Sequence, residues 1–408
     1  MSNRSPTALW RDRWVVVAGS ALAGIGAFVF VLVATRSLGL EEFSPISQLW
    51  TVWAIAAAVV TFSTQVVTVH REVLIGKTSI SRTSELMPLV LLLLLVIPVL
   101  FLYRVRIFGE SSLLWPIVGT LIPLGSYATG KARGWLAVHG SPAQLAGVVG
   151  GENLVRAFVA IILAFLEAGP IWYAVGILAG YSVALIGLSS GKPFSVVDEG
   201  NSREDRLLPL SASTAGICDH LLLVAAPTVL ATSSGNPAVV SALFVAMAVY
   251  RAPYQFVLGL VPSITRTFTQ RLPKMSRLDL RRHAQRIGLW TIMLTLIAGM
   301  IGVLLGEAVV APIFGAKGIL DPLDHALAAA LTVVATGALV CSVALLALAR
   351  AKRTMVTWMV VALLTIGVGY GVGDSPTAVL SVMLAGLLVG SLALGLPFLA
   401  GRNESVSH

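Results

Sequence analysis

Long apolar runs separated by short polar segments dominate this chain. A helix that crosses a membrane needs about 20 mostly apolar residues, because about 30 Å of hydrocarbon is covered at about 1.5 Å per residue. Runs of this length recur along the whole sequence, and each predicts one membrane crossing. The twelve runs are Trp14–Thr35, Ile46–Val69, Met87–Tyr103, Leu113–Ala128, Ala143–Leu166, Pro170–Ser190, Leu210–Thr232, Ala238–Val261, Gly288–Phe314, Ala326–Leu348, Met355–Val372 and Thr377–Ala400.

The composition agrees with a membrane protein and excludes a water-soluble one. Only 12% of the residues are charged and 57% are hydrophobic, whereas about 25% of the residues of a soluble domain are charged. The first run is also longer than the apolar core of about 7–15 residues in a cleaved signal peptide. We therefore expect an all-α polytopic membrane protein in which the first run is a true crossing.

Basic residues are concentrated on one side of the predicted topology. With the N-terminus inside, 22 of the 28 Lys and Arg residues lie in segments on the cytoplasmic side, as the positive-inside rule requires. Twelve crossings then place both termini in the cytoplasm. The net charge of +9 is explained by this topology rather than by nucleic-acid binding, and the expected location is the cytoplasmic membrane.

A charged segment after the sixth run divides the chain evenly. Residues 191–209 mix acidic and basic side chains with few apolar ones, which is typical of a solvated linker. The sequence thus predicts one six-helix bundle over residues 1–190 and another over residues 210–408, arranged as parallel repeats. A second basic stretch, Arg271–Arg286, fits either ordinary retention of positive charge on the inside or a basic helix lying on anionic lipid.

Four ionisable residues fall inside predicted crossings, where the insertion of each is unfavourable by about 2.5–3.5 kcal/mol. Glu152 and Arg156 lie four residues apart on one helix face, Asp219 lies on the seventh helix, and Arg251 lies on the eighth. We expect all four to face a water-filled cavity between the two halves. The alternative is that Glu152 and Arg156 only neutralise each other as a buried pair. Pro253 predicts a kink beside Arg251.

Two arginines at this depth indicate an anionic group in a substrate, because guanidinium binds phosphate oxygens bidentately and keeps its charge when buried. Asp219 or Glu152 is a candidate for coupling transport to a proton or Na⁺.

A complete phosphate-binding loop, a metal-binding motif and a serine-hydrolase motif are all absent from the sequence. We therefore expect no metal, no cofactor and no enzymatic activity. Glu41 and Glu42 keep one enzyme alternative open, a membrane glycosyltransferase that uses lipid-linked sugars.

Several short segments of the chain match motifs of one known family. Residues 35–43 (TRSLGLEEF) close the first crossing, residues 132–136 (ARGWL) and 152–156 (ENLVR) belong to the fourth and fifth helices, and Asp219 is followed by residues 221–224 (LLLV). Together they resemble the polysaccharide transporters of the multidrug/oligosaccharidyl-lipid/polysaccharide exporter (MOP) superfamily, of the O-antigen flippase type. The resemblance implies a MATE-like fold and a flippase that moves a polyprenyl-diphosphate oligosaccharide or polysaccharide precursor by alternating access.

The resemblance also implies roles and partners. The implied substrate-binding residues are Arg156, Arg251, Arg36, Lys131 and Arg133, of which the last three would meet a head group near the leaflet ends. The implied ion-coupling or charge-pairing residues are Glu152 and Asp219. The implied partners are the lipid-linked glycan, membrane lipids, and a glycan polymerase or glycosyltransferases. The main alternative is a cation-coupled drug or metabolite antiporter of the same superfamily.

Overall fold

The computed structural model describes most of the chain, and all regular structure in the described part is helical. The described residues are 6–73, 82–102, 104–108, 111–189, 203–224, 226, 229–230, 237–314, 319–348, 350–372 and 375–399. The predicted all-α class is therefore confirmed.

The helices follow one another with short connections. In chain order they are α1 (Pro6–Ala56), a π-helical turn (Ala57–Thr61), α2 (Phe62–Val73), α3 (Arg82–Leu102), α4 (Arg104–Phe108), α5 (Leu114–His139), α6 (Pro142–Phe165), α7 (Pro170–Ala179), α8 (Ser182–Ser189), α9 (Arg203–Val224), α10 (Pro237–Tyr250), α11 (Ala252–Arg271), a 3₁₀ turn (Leu272–Lys274), α12 (Arg277–Phe314), α13 (Pro322–Ala347), α14 (Ala351–Gly371) and α15 (Pro376–Leu399).

The long first helix contains a reversal of chain direction. In a straight helix, residues 30 and 50 would lie about 30 Å apart, but the rings of Phe30 and Trp50 stack with their centroids 5.0 Å apart. Pro45 lies inside this stretch. The chain therefore turns back between the two aromatic residues, which allows α1 to hold the first crossing and the start of the second.

Nine helical segments of the described chain are long and apolar enough to span a membrane. They are Trp14–Leu38, Gln48–Val73, Glu85–Leu102, Pro142–Phe165, Pro170–Ser189, Arg277–Val310, Pro322–Ala347, Ala351–Gly371 and Pro376–Gly395. These segments coincide with nine of the twelve predicted crossings. The fourth, seventh and eighth predicted crossings are also helical in their described parts, as α5, α9 and the pair α10 and α11, of which α10 is only 14 residues long.

The chain divides into two compact units. One contains Met1–Ser213 and Gln255–Thr267, and the other contains Thr214–Tyr254 and Phe268–His408. The first part of the predicted linker lies outside the described residues, whereas its end is helical because α9 begins at Arg203. The two predicted six-helix bundles stay a prediction.

Small residues allow α2 and α5 to approach closely inside the first unit. A Cβ atom on Gly130 would lie 2.7 Å from the Cβ of Thr64, and one on Gly134 would lie 2.7 Å from the Cβ of Thr68. Any larger side chain at these two glycines would separate the helices. The close contact brings the polar end of α5, including Lys131, against α2.

Candidate functional site

Glu152 is the centre of a buried ion cluster in the first unit. Its Oε1 atom lies 2.7 Å from Nη2 of Arg156, and its Oε2 atom lies 2.7 Å from Nη2 of Arg133. Glu152 and Arg156 are on α6, which begins with a capping box between Ser141 and Gln144; Arg133 comes from α5. The predicted Glu152–Arg156 pair is thus present, and Arg133 completes it. We call Arg133, Glu152, Asn153 and Arg156 the paired cluster.

Arg156 is enclosed by protein on every side. Its Nε donates to the carbonyl of Ile177 at 2.8 Å, and its Nη1 donates to Oδ1 of Asn153 at 2.6 Å. The guanidinium carbon lies 5.0 Å from the ring centroid of Trp53 and 4.9 Å from that of Tyr181. With 0% of its surface exposed, Arg156 does not face a water-filled cavity, contrary to expectation. The geometry supports the alternative of a buried, mutually neutralising pair.

A second buried ion network joins α2, α3 and α5. Glu85 binds Lys131 through Oε1 at 2.5 Å and Arg71 through Oε2 at 3.2 Å. Glu72 binds Arg71 through Oε1 at 3.2 Å, and its Oε2 lies 2.9 Å from Nε2 of His139. Lys131 is only 2% exposed, so in this structure it pairs with protein carboxylates rather than presenting its ammonium group at the surface.

Sequence reasoning missed this network because its acids lie beside, not within, the apolar cores of the predicted crossings. Glu72 lies at the end of α2, and Glu85 lies in the first turn of α3. The available indication was the polar end of α5, where a lysine inside a buried helix requires an acidic partner. Nothing in the spacing along the chain identified which carboxylates that partner would be.

Arg251 lies at a helix break in the second unit. The helix stops at Tyr250 and resumes at Ala252, with Pro253 in its first turn, so the predicted kink is confirmed. Nε of Arg251 donates to the carbonyl of Met247 at 3.2 Å, and the side chain is partly exposed. No carboxylate among the described side chains pairs with this guanidinium.

A buried histidine accompanies Arg251. His220, on α9, is 3% exposed, and neither ring nitrogen has a hydrogen-bond partner within the described part of the chain. Its ring centroid lies 6.1 Å from that of Tyr254, which is in the first turn of the helix that Arg251 caps. We call Arg251 and His220 the open pair. The side chain of Asp219 lies outside the described residues, so its predicted role is not tested.

The remaining candidates lie on α1, and no metal site was found. Arg36 and Glu42 are exposed, whereas the side chain of Glu41 lies outside the described residues. Across the described ranges, no three His, Cys, Asp or Glu residues are grouped so that they would hold a metal ion.

Comparison with known proteins finds similar structures but no similar sequences. No family model and no curated protein matches the chain. A multidrug resistance MATE family transporter of the MOP superfamily, in an outward-facing conformation, is 16% identical and gives a TM-score of 0.69, with 95% of each chain covered. A mutant of the Vibrio cholerae MATE transporter VcmN is 15% identical, with a TM-score of 0.68 and 97% of each chain covered.

A MATE structure in the bent conformation is also similar. It is 13% identical with a TM-score of 0.67, and the match covers 95% of this chain and 94% of the other. At such identities the likeness establishes the fold alone. The chain therefore has an all-helical fold like that of the MATE transporters.

Proposed function

We propose that this protein is a flippase that carries a polyprenyl-diphosphate oligosaccharide or polysaccharide precursor across the cytoplasmic membrane by alternating access. The fold is that of MOP-superfamily transporters, and residues 35–43, 132–136 and 152–156 resemble the polysaccharide branch of that superfamily. A glycan polymerase or glycosyltransferases would act before or after the transport step.

Arg251 is the observation that carries the proposal. A guanidinium in a predicted crossing is unfavourable unless an anion pairs with it, and no described carboxylate does so. Pro253 also has no backbone N–H to donate to the carbonyl of Val249, an arrangement that membrane proteins tolerate where a cavity is lined. A diphosphate supplies the missing charge, because its oxygens match the guanidinium fork.

The proposed roles of the other candidates follow from their surroundings. Arg156 and Arg133 are held by Glu152, so we assign the paired cluster to positioning α5 against α6 rather than to direct contact with substrate. Lys131 has the same kind of role in its own network. Arg36, which is exposed, is the one retained candidate for contact with a head group. Asp219 remains the proposed site for a coupling proton or Na⁺.

The test is translocation by purified protein in vesicles. A lipid-linked oligosaccharide carrying a labelled sugar is placed in one leaflet, and its arrival in the other is followed with a membrane-impermeant reagent that destroys the label. We expect movement with the wild type and none with Arg251→Ala. Lys352→Ala, an exposed basic residue elsewhere in the second unit, serves as the matched control. Wild-type rates in Arg251→Ala would overturn the assignment.

A cation-coupled drug or metabolite antiporter is the second candidate function. It is favoured by the likeness to a multidrug resistance MATE transporter. In that case Asp219→Asn should abolish transport while Arg251→Ala leaves most of it, the reverse of the order expected for a flippase. For a membrane glycosyltransferase, Glu41→Gln and Glu42→Gln should abolish sugar transfer, whereas a flippase should tolerate both changes.

A further inference from the structure

His220 is buried without the hydrogen bonds that a buried imidazole requires. A neutral imidazole carries one donor and one acceptor, and a protonated one carries two donors. Leaving such a group unpaired inside a protein is unfavourable by about 1–3 kcal/mol. A buried imidazole without hydrogen-bond partners therefore requires an explanation. Both nitrogens of His220 are in this state within the described structure.

Two other histidines of the described chain show the usual arrangement. Nδ1 of His325 lies 3.0 Å from the hydroxyl of Tyr250, although His325 is almost as deeply buried as His220. Nε2 of His139 lies 2.9 Å from a carboxylate oxygen of Glu72. The fold thus supplies partners to imidazoles elsewhere, and the missing partner of His220 is a local feature of its site.

The surroundings of His220 contain a positive charge and no described negative one. The ring that neighbours His220 is that of Tyr254, which lies in the first turn of α11, and Arg251 is the N-cap of that helix. A neutral imidazole has one N–H donor, and an anion bound to the neighbouring guanidinium would give that donor an acceptor. The ring of His220 would therefore gain a hydrogen bond that it lacks in the unliganded protein once an anion is bound.

We propose that His220 is a second binding residue for the anionic group held at Arg251, and that this anion supplies the hydrogen-bond partner that its ring lacks. The inference rests on the proposed function, because it assigns another residue to the same site. It also names the chemistry of the ligand more closely. The guanidinium fork takes two oxygens of one phosphoryl group while the imidazole donates to an oxygen of the next, so a diphosphate fits the pair better than a monophosphate.

The missing hydrogen bonds make His220 unusually suitable for a test. Substitution of a buried polar residue normally destabilises a protein because its partners are left unpaired. His220 has no such partners among the described residues, so His220→Leu should unfold at a temperature no lower than the wild type. A loss of ligand binding in this variant would then not be attributable to unfolding.

The experiment measures binding of farnesyl diphosphate to the full-length protein in detergent by titration calorimetry, with farnesyl monophosphate as the second probe. We expect His220→Leu to raise the Kd for the diphosphate about tenfold, which corresponds to about 1.4 kcal/mol, and to change the Kd for the monophosphate much less. His220→Gln, which keeps an N–H donor, should recover most of the affinity. His283→Leu is the control, because the ring of His283 packs against Phe268 instead.

The outcomes separate this inference from the proposed function. If His220→Leu binds the diphosphate as the wild type does while Arg251→Gln does not, the role of His220 is wrong and the proposed function stands. If both variants bind as the wild type does, or if the wild type binds no farnesyl diphosphate, the proposed function fails and the inference with it. A clear loss of thermal stability in unliganded His220→Leu would also overturn the inference.

Discussion

Two arginines in predicted crossings have opposite surroundings in this protein. Arg156 in the first unit is 0% exposed, bonded to a carboxylate, a carbonyl and an amide oxygen, and covered by two aromatic rings. Arg251 in the second unit is partly exposed, donates to one carbonyl of its own helix and has no described carboxylate partner. The same residue type at a similar predicted depth is therefore paired with a carboxylate in one place and has no described carboxylate partner in the other.

The contrast shows that burial of a charge inside a membrane protein is not by itself a sign of function. A paired charge is compensated by the fold, and only an uncompensated one requires something from outside. The distinction has a measurable consequence, because removing part of the paired cluster should affect stability, whereas removing the open pair should affect ligand binding.

The largest effect is expected at the centre of the paired cluster. Glu152→Ala leaves the guanidinium groups of Arg133 and Arg156 without their shared carboxylate, and loss of one partner of a buried ion pair typically destabilises a protein by about 3–5 kcal/mol. Thermal unfolding in detergent, followed by tryptophan fluorescence, measures the change. Glu42→Ala, at an exposed residue, should have no detectable effect. Equal stability of Glu152→Ala and Glu42→Ala would show that the fold does not depend on the pairing of Glu152 with Arg133 and Arg156.

A smaller loss of stability is expected where the turn between α7 and α8 meets the paired cluster. A Cβ atom on Gly180 would lie 2.7 Å from Nε of Arg156 and 2.7 Å from the carbonyl oxygen of Glu152. Because Arg156 is fixed by its partners, Gly180→Ala should destabilise the protein by about 1–3 kcal/mol, the usual range for overpacking. Gly147→Ala is the matched control, since nothing lies within 4 Å of its Cβ position. Destabilisation by the control and not by Gly180→Ala would contradict the packing described for Arg156.

A third loss of stability is expected at Tyr181, whose ring lies over the guanidinium of Arg156 in the paired cluster. The hydroxyl of Tyr181 lies 3.1 Å from Oγ of Ser126. Tyr181→Phe removes this hydrogen bond but keeps the ring over Arg156, so the expected loss is about 1 kcal/mol. Ser126→Ala should cause a similar loss, and the double variant should lose little more than either single one. Additive losses in this cycle would show that the two hydroxyl groups do not bond to each other.

Local features of the fold were predictable from the sequence, whereas partnerships between helices were not. The apolar runs identified the helices, and Pro253 identified the break at Arg251, because hydrophobic length and proline act within one segment. The Glu152–Arg156 pair was predictable from its spacing of four residues. The bond from Arg133 to Glu152 joins two helices across 19 residues, and the missing partners of His220 depend on what packs around it. Both are decided by helix packing, which a single sequence does not specify.

The smallest expected effect on stability is at Arg251, and it is the most informative. No described carboxylate is left unpaired when Arg251 is replaced by Gln, so the free energy of unfolding should change by no more than about 0.5 kcal/mol, as for an ordinary surface substitution. Transport of the labelled lipid-linked oligosaccharide should nevertheless be lost, because Gln lacks the guanidinium group that binds two phosphate oxygens at once. Stability and transport are measured on the same preparation. A variant as unstable as Glu152→Ala would mean that Arg251 is also held by the fold, and the two arginines would then no longer differ in kind.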